Sequence, residues 1–438
     1  MLQGRYLLNK FRSLHQVARR GVTAFQVKNE LTQDQLMPAP EGIKPLSADE
    51  DDIKRIFSVS NFHLSRRSFL KNMFEIWTLD EETSKMHKHT HHNSFIQMYF
   101  PFSKNKELAS SYVSWDNLNV RFGLILNEMD TLATDVGYKY VGSSNAGKDD
   151  FRITTAVIDG MNFFERIQTD QDLKMNGYVM YVSKSSFVVG IDLFTRSKDQ
   201  GWKYIGNASY ILAARTKDNK PYTVPELSFK GEKNLLKCKA RFEYGYHVHA
   251  QSKAMQGVSE YHASPTDEEA QDIHNLLFTL HNQQQYTLSE RRAYVPMSKT
   301  LNTSQMVIQP QKNVIQGFAA AGHVLNEAYQ IAWITSHLFC ERQKFDFVGL
   351  DRLYFPVPSV LASGYEFKAK VSYSDKEYFR VNTHLTNIVE SIHEEPTIID
   401  FTFRFPEGMG EEKKIMPENY DDALKYLMNK RMMQKFLV

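Results

Sequence analysis

Residues 309–339, QPQKNVIQGFAAAGHVLNEAYQIAWITSHLF, constrain the fold more than any other stretch of this chain. After a polar, Gly-containing approach they become an Ala-rich apolar run of about seven helical turns. Ala320, Ala321, Val324, Ala328, Ile331, Ala332 and Thr335 recur at the three-and-four spacing of a helix with one buried face. Side chains this small let backbones approach closely, which suits a helix lying inside the curl of a sheet. The same plan occurs earlier. RFGLILNEMD opens a helix with Phe122, Ile125, Leu126, Met129, Leu132 and Val136 on one face, and Gly123 precedes Gly322 by 199 residues. β-rich runs follow each helix: 153–159, 177–194 and 208–215 after the first, and 345–355, 366–373, 378–389 and 397–405 after the second. Two repeats of a helix and a strand meander predict two similar α+β domains.

The chain has 438 residues, enough for two cores, and its 42% hydrophobic and 24% charged residues are those expected of a soluble globular protein. A net charge of +2 gives no reason to expect nucleic acid as a partner. Cys238 and Cys340 are too few for a disulfide framework, so a reducing compartment is expected. No apolar run approaches the roughly 18 residues of a membrane helix, and no transmembrane segment is expected. Residues 1–28 carry Arg5, Lys10, Arg12, Arg19, Arg20 and Lys28 with no Asp or Glu, the pattern of a mitochondrial targeting segment.

An N-terminal extension then spans 29–92, with a linker marked by Pro38, Pro40 and Pro45 and a helix start at Ser47 followed by acids. Residues 66–79 fit a short helix or an edge strand. Alternate histidines of the run from His87 to His92 would share a strand face and could ligate zinc, but no Cys, Asp or Glu in the run completes a site, and it reads as a solvated loop. The first domain is placed at 93–220, opening on a strand at 93–102. A linker at 221–300 contains a helix that starts at Ser264-Pro265-Thr266-Asp267 and continues to near His281. The second domain is placed at 301–405. A tail at 406–438 ends in a helix with Asp421 and Asp422 at its start and Lys430 and Arg431 near its end.

The runs RFGLILNEMD, TTAVIDGMNF, GYVMYVSKSSFVVGIDLF, SYILAARTKDNK, TDEEAQDIHNLLFTL and AYQIAWITSHLF, taken in order, resemble the mitochondrial double hot-dog acyl-CoA thioesterases of the acyl-CoA thioesterase 9 kind. The resemblance covers residues 93 to about 435. It implies tandem hot-dog domains, each a long helix wrapped by a curved antiparallel sheet, with the two sheets meeting edge to edge. It also implies acyl-CoA as the substrate, no metal, and no cofactor other than the coenzyme A carried by the substrate. Such enzymes place the thioester carbonyl at one helix's positive end and a carboxylate from the partner domain's helix beside a water.

Carried over residue by residue, this implies Asp130, Asn313 and Gly322 as catalytic and Arg121, Gly123, Gln316 and Gly317 as substrate-binding. Asp130 lies seven residues beyond Gly123. Glu128 is expected at the surface and His323 as a partly buried histidine. Three positions of the second domain depart from the family: Ala320 and Ala321 stand where Phe-Gly is usual, and Gln330 replaces a glutamate. Two functional readings follow. In one the chain hydrolyses acyl-CoA in the mitochondrial matrix; in the other it is an inactive homologue serving as a structural or binding subunit of a larger mitochondrial complex, such as the respiratory chain or the mitoribosome.

Overall fold

The computed structural model describes residues 36–45, 75–79, 89–115, 119–142, 151–197, 201–216, 218–232, 234–255, 264–281, 293–307, 314–315, 318–355, 364–388, 397–409 and 413–436. The segment 1–28, the helix start at Ser47, and Asn313, Gln316 and Gly317 lie outside the described residues.

In the first half, β1 (Ile43–Pro45) and β2 (Glu75–Leu79) precede the one-turn helix α1 (His91–Ser94) and β3 (Ile96–Phe100). β2 resolves the open alternative for residues 66–79 where it is described: Glu75 to Leu79 form a strand between β1 and β3. The described end of the histidine run is not a solvated loop. Thr90 caps α1, His91 is fully buried with Nδ1 2.7 Å from the Val179 carbonyl oxygen, and His92 pairs with Glu232. Burial pulls the His91 imidazole down to a pKa of about 4.

After α2 (Lys106–Tyr112) comes the long helix α3 (Phe122–Gly142), then four antiparallel strands, β4 (Phe151–Phe163), β5 (Asp172–Val182), β6 (Ser186–Arg196) and β7 (Lys203–Thr216). The strands outrun the sequence-based limits because the polar residues at their ends still pair in register, as Asp172 does with Arg196.

Among the described residues of the connection there are two helices, α4 (Leu235–Met255) and α5 (Asp267–His281). The second is where the Ser-Pro-Thr-Asp start places it. The first was not expected, since LLKCKARFEYGYHVHAQSKAM has no continuous apolar stripe. α4 packs on the outer face of the first sheet through Cys238 and Val248, which join Tyr178, Val188 and Ile211 in a second small core.

The second half repeats the first. β8 (Tyr294–Pro296) and β9 (Asn302–Val307) precede a small hairpin, β10 (Val314–Ile315) and β11 (Phe318–Ala319), and the helix α6 (Ala321–Phe339). α6 has 19 residues, shorter than the expected run, because Val314–Ile315 and Phe318–Ala319 ahead of it are extended rather than helical. Then follow β12 (Asp346–Leu350), β13 (Leu353–Tyr354), β14 (Gly364–Ser374), β15 (Tyr378–Asn387), β16 (Thr397–Arg404), β17 (Lys414–Met416) and the tail helix α7 (Tyr420–Phe436).

Among the described residues one sheet of 13 strands runs through both halves in the order β1-β2-β3-β5-β6-β7-β4-β12-β16-β15-β14-β9, with β13 also on β4. Outward from the β4–β12 joint the two halves read alike: the strand after the long helix is innermost and the fifth strand out is the one before it, β3 or β9, with β2 and β1 added beyond β3 in the first half. The joint is antiparallel, with Gly349 opposite Asn162 and Leu350 opposite Met161. A Cβ on Gly349 would lie 2.0 Å from the Met161 carbonyl oxygen, so only glycine permits this approach. The expected edge-to-edge double hot-dog is therefore the observed architecture. A single apolar core, including Ile125, Met129, Leu132, Leu325 and Ala328, fills the space between the sheet and helices α3 and α6.

Candidate active site

The N-terminal halves of α3 and α6 cross in reciprocal contact, the first turn of each meeting the second and third turns of the other. A Cβ on Gly322 would lie 2.6 Å from Asp130 Cβ and 2.9 Å from Asn127 Cα, and one on Gly123 would lie 2.3 Å from Asn326 Oδ1 and 3.2 Å from Tyr329 Cδ1. The offset of 199 residues that carries Gly123 to Gly322 also carries Asn127 to Asn326 and Asp130 to Tyr329. The crossing thus has an internal two-fold relationship and two helix mouths. One holds a carboxylate; the other holds a tyrosine.

At the first mouth, Ala320 occupies the cap position of α6 and has no side chain to satisfy the helix's leading amides. Asp130 supplies the missing cap from the other half: its Oδ2 accepts the Gly322 N–H at 2.8 Å, while Oδ1 accepts the Thr155 hydroxyl at 2.7 Å. The carboxylate is 2% exposed and faces the positive end of a helix. Thr155 lies on β4 where the pairing with β7 shifts register between Thr155 and Val157, a bulge that re-aims the strand.

Glu128, expected at the surface, is 3% exposed and accepts a hydrogen bond from the Tyr112 hydroxyl at 3.2 Å. Every residue of α3 except Leu124 is buried, so even its polar face is inside. His323 is 5% exposed, with Nδ1 3.9 Å from Glu327 Oε1.

The second mouth opens on a cavity of about 570 Å³ lined by Arg121, Gly123, Asn326, Tyr329, Gln330 and Trp333, among others. Arg121 is exposed and donates to the Ser111 carbonyl oxygen at 2.6 Å. The Trp333 indole stacks on His337, with ring centroids 4.9 Å apart. Tyr329 is packed against Phe122, Phe347 and Phe401, and burial together with the charge of Asp346 pushes its phenol far above the ordinary value. It is no base.

The structure therefore brings Asp130 and Gly322 together and sets Arg121 and Gly123 at the other mouth, one helical segment of about 10 Å away along α3. Gln330 also belongs to the second mouth, so the missing glutamate leaves the surroundings of Asp130 untouched. Sequence reasoning missed Thr155. Its signal was a hydroxyl in the core-facing phase set by Ile153, where an aliphatic residue would be expected.

The thioesterase superfamily pattern matches residues 120–201, the segment from the start of α3 to the end of β6. Over 415 residues the chain is 24% identical to acyl-coenzyme A thioesterase 9, mitochondrial, of Homo sapiens, covering 92% of this chain and 91% of that protein. It is also 24% identical over 349 residues to acyl-coenzyme A thioesterase 10, mitochondrial, of Mus musculus, covering 77% of each. Among solved structures, an acyl-ACP thioesterase from Bacteroides thetaiotaomicron aligns over 72% of this chain and 99% of its own at 10% identity, with a TM-score of 0.39. The likeness drawn from the motifs extends over nearly the whole chain.

Proposed function

We propose that this chain, similar over most of its length to mitochondrial acyl-CoA thioesterases, hydrolyses acyl-CoA to a free fatty acid and CoA in the mitochondrial matrix. The observation that carries the reading is the contact of the Asp130 carboxylate with the Gly322 amide at a helix mouth, 2.8 Å apart and contributed by opposite halves. A thioester carbonyl arriving at this mouth competes with Asp130 for the same amide. The carboxylate, still held by Thr155, then turns to a water.

Asp130 takes a proton as the water oxygen attacks the carbonyl carbon. Charge on the carbonyl oxygen develops at the positive end of α6, where backbone amides offset it without reorganising. The C–S bond then breaks, and the proton held by Asp130 passes to the departing thiolate, leaving a carboxylic acid and CoA. Coenzyme A enters only as part of the substrate.

The test is thiol release from medium- and long-chain acyl-CoA by the purified protein, compared with Asp130→Asn. The variant keeps an oxygen that can accept the Gly322 amide, so the fold is retained while the base is lost. Turnover is expected to fall by a factor of about 100 to 10,000. A folded wild-type protein that releases no thiol at any chain length would return the inactive-homologue reading.

A further inference from the structure

One buried polar group beside this mouth is used by nothing described so far. Tyr210 lies on β7, fully enclosed, and its hydroxyl has no hydrogen-bond partner among the described residues. A phenol normally finds one when buried, because an unmade hydrogen bond in the interior costs about 1–3 kcal/mol. Its placement is specific. Leu212 pairs directly with Thr155 across the β7–β4 ladder, and Tyr210, two residues before Leu212, shares its face. Both belong to the core beneath α3, whereas Ile211 between them belongs to the opposite face under α4. Tyr210 therefore stands on the Asp130 side of the sheet, one strand over from Thr155. The negative charge of Asp130 reaches it, and together with burial pushes its phenol far above the ordinary value, so it stays protonated at any working pH.

We propose that Tyr210 holds the attacking water: its phenol oxygen accepts one of the water's protons while Asp130 accepts the other, leaving a lone pair directed at the thioester carbonyl. Two contacts fix the water where one would let it rotate. The proton that leaves goes to Asp130, and Tyr210 undergoes no net change. The inference rests on the thioesterase reading of the Asp130 mouth and assigns that mouth a further residue.

Tyr210→Phe is the direct test, since it deletes one oxygen and keeps the ring. The expected result is a fall in kcat of about 10- to 100-fold with KM nearly unchanged, because a misplaced reactant loses that order of rate. The melting temperature should hold or rise, since the lost hydroxyl had no partner to satisfy. In an Asp130→Asn background the same substitution should do nothing further, because groups that act on one water are not additive. Retained kcat with a raised melting temperature would overturn the proposal and make Tyr210 an orphan of the core. An equal loss of kcat in both backgrounds would overturn it as well, in favour of an effect on packing. Wild-type protein without thiol release would instead sink the thioesterase reading itself.

Discussion

Asp130 caps a helix that begins 191 residues further along the chain, its Oδ2 accepting the Gly322 N–H at 2.8 Å. A group that both ties the two halves together and performs chemistry should show two separable losses. Asp130→Asn keeps an acceptor and is expected to lose turnover alone, by a factor of about 100 to 10,000. Asp130→Ala also strands the Gly322 amide and the Thr155 hydroxyl, and should cost a further 1–3 kcal/mol or about that order in stability. Thermal unfolding and thiol release measured side by side decide this. Turnover by the Asn variant close to that of wild type would leave Asp130 as a cap only.

The two crossing glycines are not equivalent. An added methyl at Gly322 meets Asp130 Cβ at 2.6 Å and Asn127 Cα at 2.9 Å, both tied directly to the backbone of α3. The helices must then separate, and Gly322→Ala should cost about 1–3 kcal/mol and most of the activity. At Gly123 the closest atom is Asn326 Oδ1, the free end of a side chain that can swing aside. Gly123→Ala should therefore lower the melting temperature less than Gly322→Ala. Equal losses would show that the crossing is equally rigid on both sides.

Much of this architecture was legible because the repeat is written twice. Small residues at Gly123, Gly322, Ala328 and Ala332 mark where backbones meet, and alternating β-branched and aromatic residues mark the strands that wrap them. α4 escaped because its buried residues, Cys238, Arg241, Gly245, Val248, His249 and Ser252, do not form an apolar stripe: one of them is a fully enclosed arginine. Asp130 was found through its spacing from Gly123. Thr155 and Tyr210 were not, since a hydroxyl on a core-facing strand position has no local signature until the register across β4 and β7 is known. The two mouths were also merged, because a single sequence does not say that Tyr329 rather than Gln330 occupies the place related to Asp130.

Lys139, near the end of α3, predicts how stability depends on pH. It is fully enclosed and donates to the Thr78 hydroxyl and to the Phe95 carbonyl oxygen, and burial lowers its pKa to about 7. An unfolded lysine titrates near 10.4. Between these values the unfolded chain binds a proton that the native one has released, so this residue's contribution to stability rises with pH, by up to about 1.4 kcal/mol per unit. Below the folded value both states are charged and the full cost of burying the ammonium remains. Lys139→Met removes the titration. Denaturant unfolding at about pH 6.5, 7.5 and 8.5 should show wild type gaining on the variant as pH rises. A constant difference would mean that Lys139 does not titrate in this range.

The attachment of α4 makes the last prediction, and it turns on one buried ion pair. Arg241 places its guanidinium 3.1 Å from Asp192 Oδ2, and both side chains are at most 2% exposed. Tyr178 donates to the same carboxylate at 3.0 Å, and burial raises the Asp192 pKa against the pull of Arg241. Arg241→Met leaves that carboxylate without its counter-charge beneath the helix, which should cost about 3–5 kcal/mol. Adding Asp192→Asn removes the stranded charge while keeping an acceptor for Tyr178, so the double variant should recover most of the loss. Turnover by the double variant should stay near wild type, because α4 covers the face of the sheet opposite to Asp130. A single variant that costs less than about 1 kcal/mol would show that α4 is held by its apolar contacts with Tyr178, Val188 and Ile211 and not by the ion pair.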